Sequence, residues 1–172
     1  MACMSTLRTV PEALAAEVLQ ESKTTRKVLE RVPEDKLSWR PHPKSMSVGT
    51  LALHIAVIPG RLAEYFNEPA RQVPQFTPPE ATSRQEILDA HDSSRESAVR
   101  RLTSWTEADL AAEFKMMHGD RTVLALPRID AVRSIMFNHL YHHRGQLSVY
   151  LRLLDVPVPS IYGPSADESP MP

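Results

Sequence analysis

Residues 129–154 read IDAVRSIMFNHLYHHRGQLSVYLRLL. Within them Val132, Met136, His139, His143, Leu147, Tyr150 and Leu154 recur in steps of three and four, the spacing that stacks side chains on one face of an α-helix. The pattern predicts a long helix that stops before Pro157. His139 and His143 lie one turn apart on this otherwise apolar line. Neutral imidazole is the commonest protein ligand for zinc, nickel and ferrous iron, so the pair has the spacing of a metal-binding helix. His142 falls off the line, on a flank with Ile135 and Val149, and is expected either to be partly exposed or to support the ligands from behind.

Working outward, three further helical patterns precede this one. Residues 10–31 carry Leu14, Val18 and Val28 at helical spacing and stop at Val32-Pro33. Residues 35–44 hold two prolines and Trp39, which reads as an ordered loop. Ser45 or Ser47 then caps a second helix with Leu51, His54, Ile58, Leu62 and Tyr65 on one stripe. Pro59-Gly60 interrupts that stripe. Because proline frees the carbonyl four residues earlier, a kink or break is expected beside His54.

Residues 67–79 contain four prolines and read as a crossover loop. Ser83 and Glu86 have capping-box spacing for a third helix that runs through Ile87, Leu88, Val99 and Leu102 to about Trp105. A short helical turn over residues 107–114 and a small hairpin or arm around His118-Gly119-Asp120 lead to the last helix. In the tail, Val156, Val158, Ile161 and Tyr162 are placed to press onto the bundle.

The chain has 172 residues, 42% of them hydrophobic, which suffices for a single domain over residues 1–172 with short disordered termini. Its 20 Lys and Arg against 21 Asp and Glu leave no excess positive charge for a phosphate backbone, so no nucleic acid is expected as partner. There is no leader-like start and no apolar run of bilayer length; the expectation is a soluble, cytoplasmic protein with no membrane partner. Cys3 is the only cysteine, expected to fray with the terminus, so any metal must use nitrogen and oxygen ligands. No HExxH, EF-hand loop, glycine-rich phosphate loop or Ser or Cys nucleophile motif is present.

Four helices without βαβ alternation predict an all-α fold, a four-helix bundle with long crossover connections, which builds metal sites from side chains on facing helices. His54, on the second helix, is the third candidate ligand. Three imidazoles gathered in one core would each need a hydrogen-bond partner and would repel one another if protonated; a cation answers both demands. His54, His139 and His143 are therefore expected to hold one divalent metal ion, zinc, nickel or iron, with positions left open as in catalytic sites. Gly145 in mid-helix suggests close approach by another helix or the tail. Gln146 and Asn138 are candidates to orient imidazoles, and Arg144 to bind an anionic substrate or to make an interhelical bond. His42, His91 and His118 lie in loop or polar contexts and are given no role.

The segments WRPHPKSMSVGTLALHIA, residues 39–56, and NHLYHHRGQLSVYLRLLDVPVPSIYGPSADE, residues 138–168, resemble the DinB/YfiT-like family of metal-dependent four-helix-bundle proteins. The resemblance spans nearly the whole chain and carries the family's metal ligands onto His54, His139 and His143. Pro59-Gly60 departs from the family pattern. The resemblance implies a metal-dependent thiol S-transferase or thiol-dependent isomerase acting on a small-molecule substrate, with no DNA polymerase activity despite the family's damage-inducible name. A low-molecular-weight thiol would be activated at the ion's open position, in keeping with a chain that has no nucleophile motif of its own. The alternative is a non-catalytic, metal-stabilised stress-response or binding module. Apolar residues left over on the flank, Ile135 and Val149, together with the resemblance, suggest a homodimer.

Overall fold

Helix α1 (Val10–Leu29) opens with a complete capping box: the Thr9 side chain accepts from the Glu12 amide while the Glu12 carboxylate accepts from Thr9 N–H. This and the other contacts below come from a computed structural model that describes residues 8–74 and 79–169. Cys3 and residues 170–172 lie outside the described residues, and with them the expectations of a frayed N-terminus and a disordered C-terminal end.

A 3₁₀ turn (Glu34–Lys36) leads to α2 (Val48–Tyr65), capped by Ser47, whose hydroxyl accepts from the Thr50 amide. Of the kink or break expected at Pro59-Gly60, the break does not occur: α2 runs through both residues. Its continuity is supported from outside. Gly60 N–H donates to the Ser94 hydroxyl of α3 (Arg84–Ser104) at 2.8 Å, and a Cβ at Gly60 would stand only 2.8 Å from the Ser94 carbonyl oxygen. The residue after proline thus lets α3 pack against α2 where the helix's own ladder is interrupted.

The α3 cap forms as expected on the Ser83 hydroxyl, whereas Glu86 turns one residue further back, to the backbone and hydroxyl of Thr82. After α3 comes a short helix α4 (Glu107–Ala111), ending before the sequence pattern did because Glu113 opens a strand. The hairpin is formed by β2 (Glu113–His118) and β3 (Arg121–Pro127), with Gly119 at φ +59 in its turn. Within the segment expected to be only a crossover loop, β1 (Ala70–Gln72) adds a third strand, parallel to β2, with Ala70 opposite Lys115. Arg128 is buried and binds this layer to the bundle: its Nε donates to Phe66 O at 2.7 Å and its Nη1 to Asp109 O.

The last helix is continuous through three segments, α5 (Arg128–Ala131), a π-helical stretch (Val132–Phe137) and α6 (Asn138–Leu153). Of the line read from the sequence, Val132, Met136 and Leu147 are fully buried, but the buried face also takes residues outside that line. Phe137, Leu140, Arg144, Leu147 and Leu151 are buried, whereas His139 and His143 are half-buried at the rim of that face. The fold is therefore a helical bundle with a small three-stranded sheet, most of its residues in helices. Among the described residues no helix is long and apolar enough to cross a membrane.

A buried ion pair ties the last helix to α1. Arg144 (1% exposed) pairs with Glu21 of α1 at 2.7 Å, donates to Thr25 Oγ1 at 3.0 Å and contacts the Tyr162 hydroxyl of the tail. It is thus an internal tie, and the anion-binding alternative for it falls away. The tail itself is held by Asp167 on Arg152 and by Glu168 on Arg31 at 2.7 Å. Val156, Val158 and Ile161 press onto the core as expected, but the Tyr162 ring remains exposed and only its hydroxyl reaches inward. Gly145 has nothing within 4 Å of where a Cβ would be, so the close approach expected there is absent.

Candidate metal centre

The ridge of α2 that carries His54 meets the ridge of the last helix that carries His139 and His143, and the three rings converge. Ring centroids are 5.0 Å apart for His54 and His139, 4.8 Å for His54 and His143, and 4.5 Å for His139 and His143. One nitrogen from each ring falls within 4.8 Å of the others, a set that could hold a metal ion. The local reasons differ: His139 and His143 meet because helical geometry stacks residues four apart, while His54 joins only through packing of α2 on α6.

His54 Nε2 and His139 Nε2 are 2.8 Å apart, so one ring donates to the other. His143 Nδ1 lies 2.7 Å from Gln146 Oε1; because an amide oxygen only accepts, the ring must carry its proton on Nδ1 and present Nε2 as a lone pair. Gln146 thus takes the orienting role read for it, whereas Asn138 is exposed. His142 is exposed beside the cluster, its ring 4.9 Å from that of His143.

Burial holds all three rings in the neutral form. His54 is lowered to about 4, mainly by burial and then by repulsion from His143, His139 and Arg61. His139 is lowered by burial and by its two histidine neighbours, and His143 by burial against the raising effect of Gln146. Neutral imidazoles are what a divalent ion requires, and the ring that donates across the His54–His139 pair would have to carry its proton on Nδ1 instead to serve as a ligand through Nε2. Opening the 2.8 Å pair by about half an ångström would reach the roughly 3.3 Å nitrogen separation of tetrahedral ligation at about 2.0–2.1 Å. No fourth histidine, cysteine or carboxylate joins the group among the described residues.

A pocket of about 320 Å³ opens directly from His54 and His139. Val57, Ile58, Arg61, Leu62 and Tyr65 of α2 line it together with Pro74. The Tyr65 hydroxyl is engaged in a 2.8 Å bond to Gln72 O of β1, so the strand unforeseen in the sequence shapes the pocket.

His91, given no role in the sequence reading, is a buried residue of α3. Its Nε2 bonds Ser22 Oγ at 2.9 Å and its Nδ1 lies 3.3 Å from Asp92 Oδ1. The signal was available in the spacing: Ile87, His91, Ser94, Ala98 and Leu102 form the buried line of α3, on which His91 and Ser94 stand where apolar residues would be expected.

The chain is 28% identical over 153 residues to an uncharacterized protein, YrdA, of Bacillus subtilis (strain 168), covering 86% of this chain and 85% of that one. Its fold is similar to the crystal structure of a DinB-like protein from Bacillus cereus ATCC 10987, with TM-score 0.68, 25% identity and coverage of 88% of this chain and 97% of the other. A DinB-like protein from Bacillus subtilis, YjoA, shares the fold at TM-score 0.66 and 21% identity, over 87% of this chain and 96% of its own. Residues 18–147 match the sequence model of the DinB superfamily, and with the bundle and its histidine cluster this establishes that the chain belongs to that superfamily.

Proposed function

We propose that the protein is a metal-dependent transferase or isomerase that joins a low-molecular-weight thiol to a small electrophile, with His54, His139 and His143 holding one divalent ion. The observation that carries this reading is the junction of three half-buried, neutral imidazoles with an apolar pocket open to them. When bound, the ion supplies Lewis-acid activation, which lowers a thiol's pKa from its ordinary value of about 8.5 toward neutrality. The protein's own part is orientation and exclusion of water. Gln146 fixes the tautomer and rotation of His143, and burial keeps the three rings unprotonated at neutral pH. Val57, Ile58 and Leu62 keep water from the electrophile. No nucleophile motif competes for the attack, which leaves that role to a group arriving with a substrate.

The non-catalytic alternative would be favoured by a site closed off by a fourth ligand or by the tail. Instead the tail's Tyr162 docks on Glu21 and Arg144 of α1 and α6. The deciding assay offers bacillithiol, mycothiol, glutathione or a simple dithiol with an activated halide or epoxide, comparing metal-loaded protein, chelated protein and His143→Ala. Electrophile loss should need both thiol and metal. Loss without thiol would assign a hydrolase, and no loss with any thiol at full metal occupancy would assign the binding module.

A further inference from the structure

The pocket that opens from His54 and His139 is walled almost wholly by apolar surface. His54, Val57, Ile58, Arg61, Leu62 and Tyr65 share one face of α2, and Pro74 completes the described lining. Tyr65 commits its hydroxyl to Gln72 O at 2.8 Å, which leaves its ring to the wall. Arg61 has an interaction of its own, and a wall this apolar takes methylenes from its side chain rather than the guanidinium. No carboxylate, amide or Ser or Thr hydroxyl is among the described lining residues. A volume of about 320 Å³, at about 30 Å³ for each non-hydrogen atom with its hydrogens, gives room for about ten such atoms.

We propose, resting on the reading of the site given above, that the electrophilic substrate is an uncharged, apolar molecule whose body, of about ten non-hydrogen atoms at most, fills this pocket against Val57, Ile58 and Leu62 while its reacting carbon faces the histidine cluster. The reason is desolvation. Each methylene moved from water onto such a wall raises affinity about fourfold. A hydroxyl, amide or charge moved there loses its water and finds no partner in exchange. Sugars, phosphate esters and carboxylates are therefore kept out of this pocket, and a polar thiol must reach the cluster from outside it. Val57, Ile58 and Leu62 are then specificity-determining residues, which set both the polarity and the size of the electrophile.

The test is calorimetry of chelated protein with the straight-chain alcohols from 1-hexanol to 1-undecanol, so that no ion can hold the head group. Affinity should rise about fourfold for each added carbon up to about 1-nonanol, the alcohol that matches the pocket's volume, and level off where the chain outgrows it. 1,8-Octanediol, which must bury a second hydroxyl, should bind about tenfold more weakly than 1-octanol, and the suberate dianion should not bind measurably. Leu62→Trp narrows the pocket and should bring the limit to shorter alcohols; Val57→Phe should do the same, so the result does not hang on the folding of one variant. Affinity that ignores chain length, a diol that matches 1-octanol, suberate that binds, or a limit unmoved in the folded variants would each overturn the proposal. Thiol-dependent turnover by metal-loaded protein separates the two readings. A length-limited alcohol series in protein that turns over no electrophile would uphold the pocket assignment and remove the catalytic one, whereas turnover of a polar electrophile beside a failed alcohol series would retain catalysis and overturn this substrate class.

Discussion

Two mid-helix glycines should respond to the same substitution with opposite signs, which tests whether α3 holds α2, and with it His54, in place. At Gly60 an alanine Cβ would lie 2.8 Å from Ser94 O, 2.9 Å from Ser94 Cα and 2.9 Å from Ser94 Oγ. Two of these are backbone atoms and cannot swing aside, so the helices must separate. Overpacking of this kind costs about 1–3 kcal/mol. The 2.8 Å bond from Gly60 N–H to Ser94 Oγ stretches or is lost, at about 1 kcal/mol, and alanine's better helix propensity returns about 1 kcal/mol. The net is a loss of about 2 kcal/mol, or a fall of about 4–8 °C in Tm for a chain of this size. At Gly145 no atom lies within 4 Å of the added Cβ, so only the propensity gain remains and Tm should rise by about 2–4 °C. Urea unfolding and calorimetry of chelated protein isolate these effects from metal linkage. Gly60→Ala should also weaken zinc binding, because His54 sits six residues along the displaced helix. Wild-type stability in Gly60→Ala would refute the account of how α2 survives Pro59. A loss at Gly145 would mean that a neighbour packs on it in solution.

Single changes of His54, His139 or His143 to Ala should lower metal content and Tm together, since a ligand held at about a thousand times its Kd contributes about 4 kcal/mol; His142→Ala should do much less, and unchanged metal in all three variants would defeat the assignment. In metal-free protein, His54 is lowered to about 4 when folded and returns to about 6.5 when unfolded, so the unfolded chain binds the extra proton between these values. Stability is then full above about pH 6.5 and declines toward pH 4, by about 1–2 kcal/mol after discounting for partial exposure, a slope that His54→Gln should flatten in urea titrations. Arg144→Ala strands the Glu21 carboxylate in the core and should cost about 3–5 kcal/mol, whereas the double change with Glu21→Gln should recover part of it; equal losses would deny the coupling. Light scattering at micromolar concentration should give a dimer mass, and a monomer would leave exposed Val149 and Leu153 without that explanation.

What lay open in the sequence was what neighbouring residues decide. The Thr9-Glu12 cap escaped notice, but the caps at Ser47 and Ser83, the run of the last helix and the shared face of His139 and His143 follow from interactions spanning three or four residues. The glycine turn of the hairpin is of the same kind. His54 was legible as a ligand candidate from its stripe, yet its arrival 2.8 Å from His139 depends on a contact 85 residues away in the chain. Only the tertiary structure determined the rest. Pro59 carries a break signal that local rules cannot cancel; Ser94, 34 residues on, supplies the bond and the close packing that do. Gly145 looks locally like Gly60, and the difference is whether another helix stands opposite. Arg144 and His91 are polar in the sequence but buried in the fold, because Glu21, Thr25 and Ser22 of α1 satisfy them across separations of 123, 119 and 69 residues. Strand β1 has too few residues to announce itself and exists because β2 offers it an edge. Helix signals reside in the chain because the backbone bonds that make a helix are local, while pocket, buried pairs and strand order reside in contacts that form only once the helices pack.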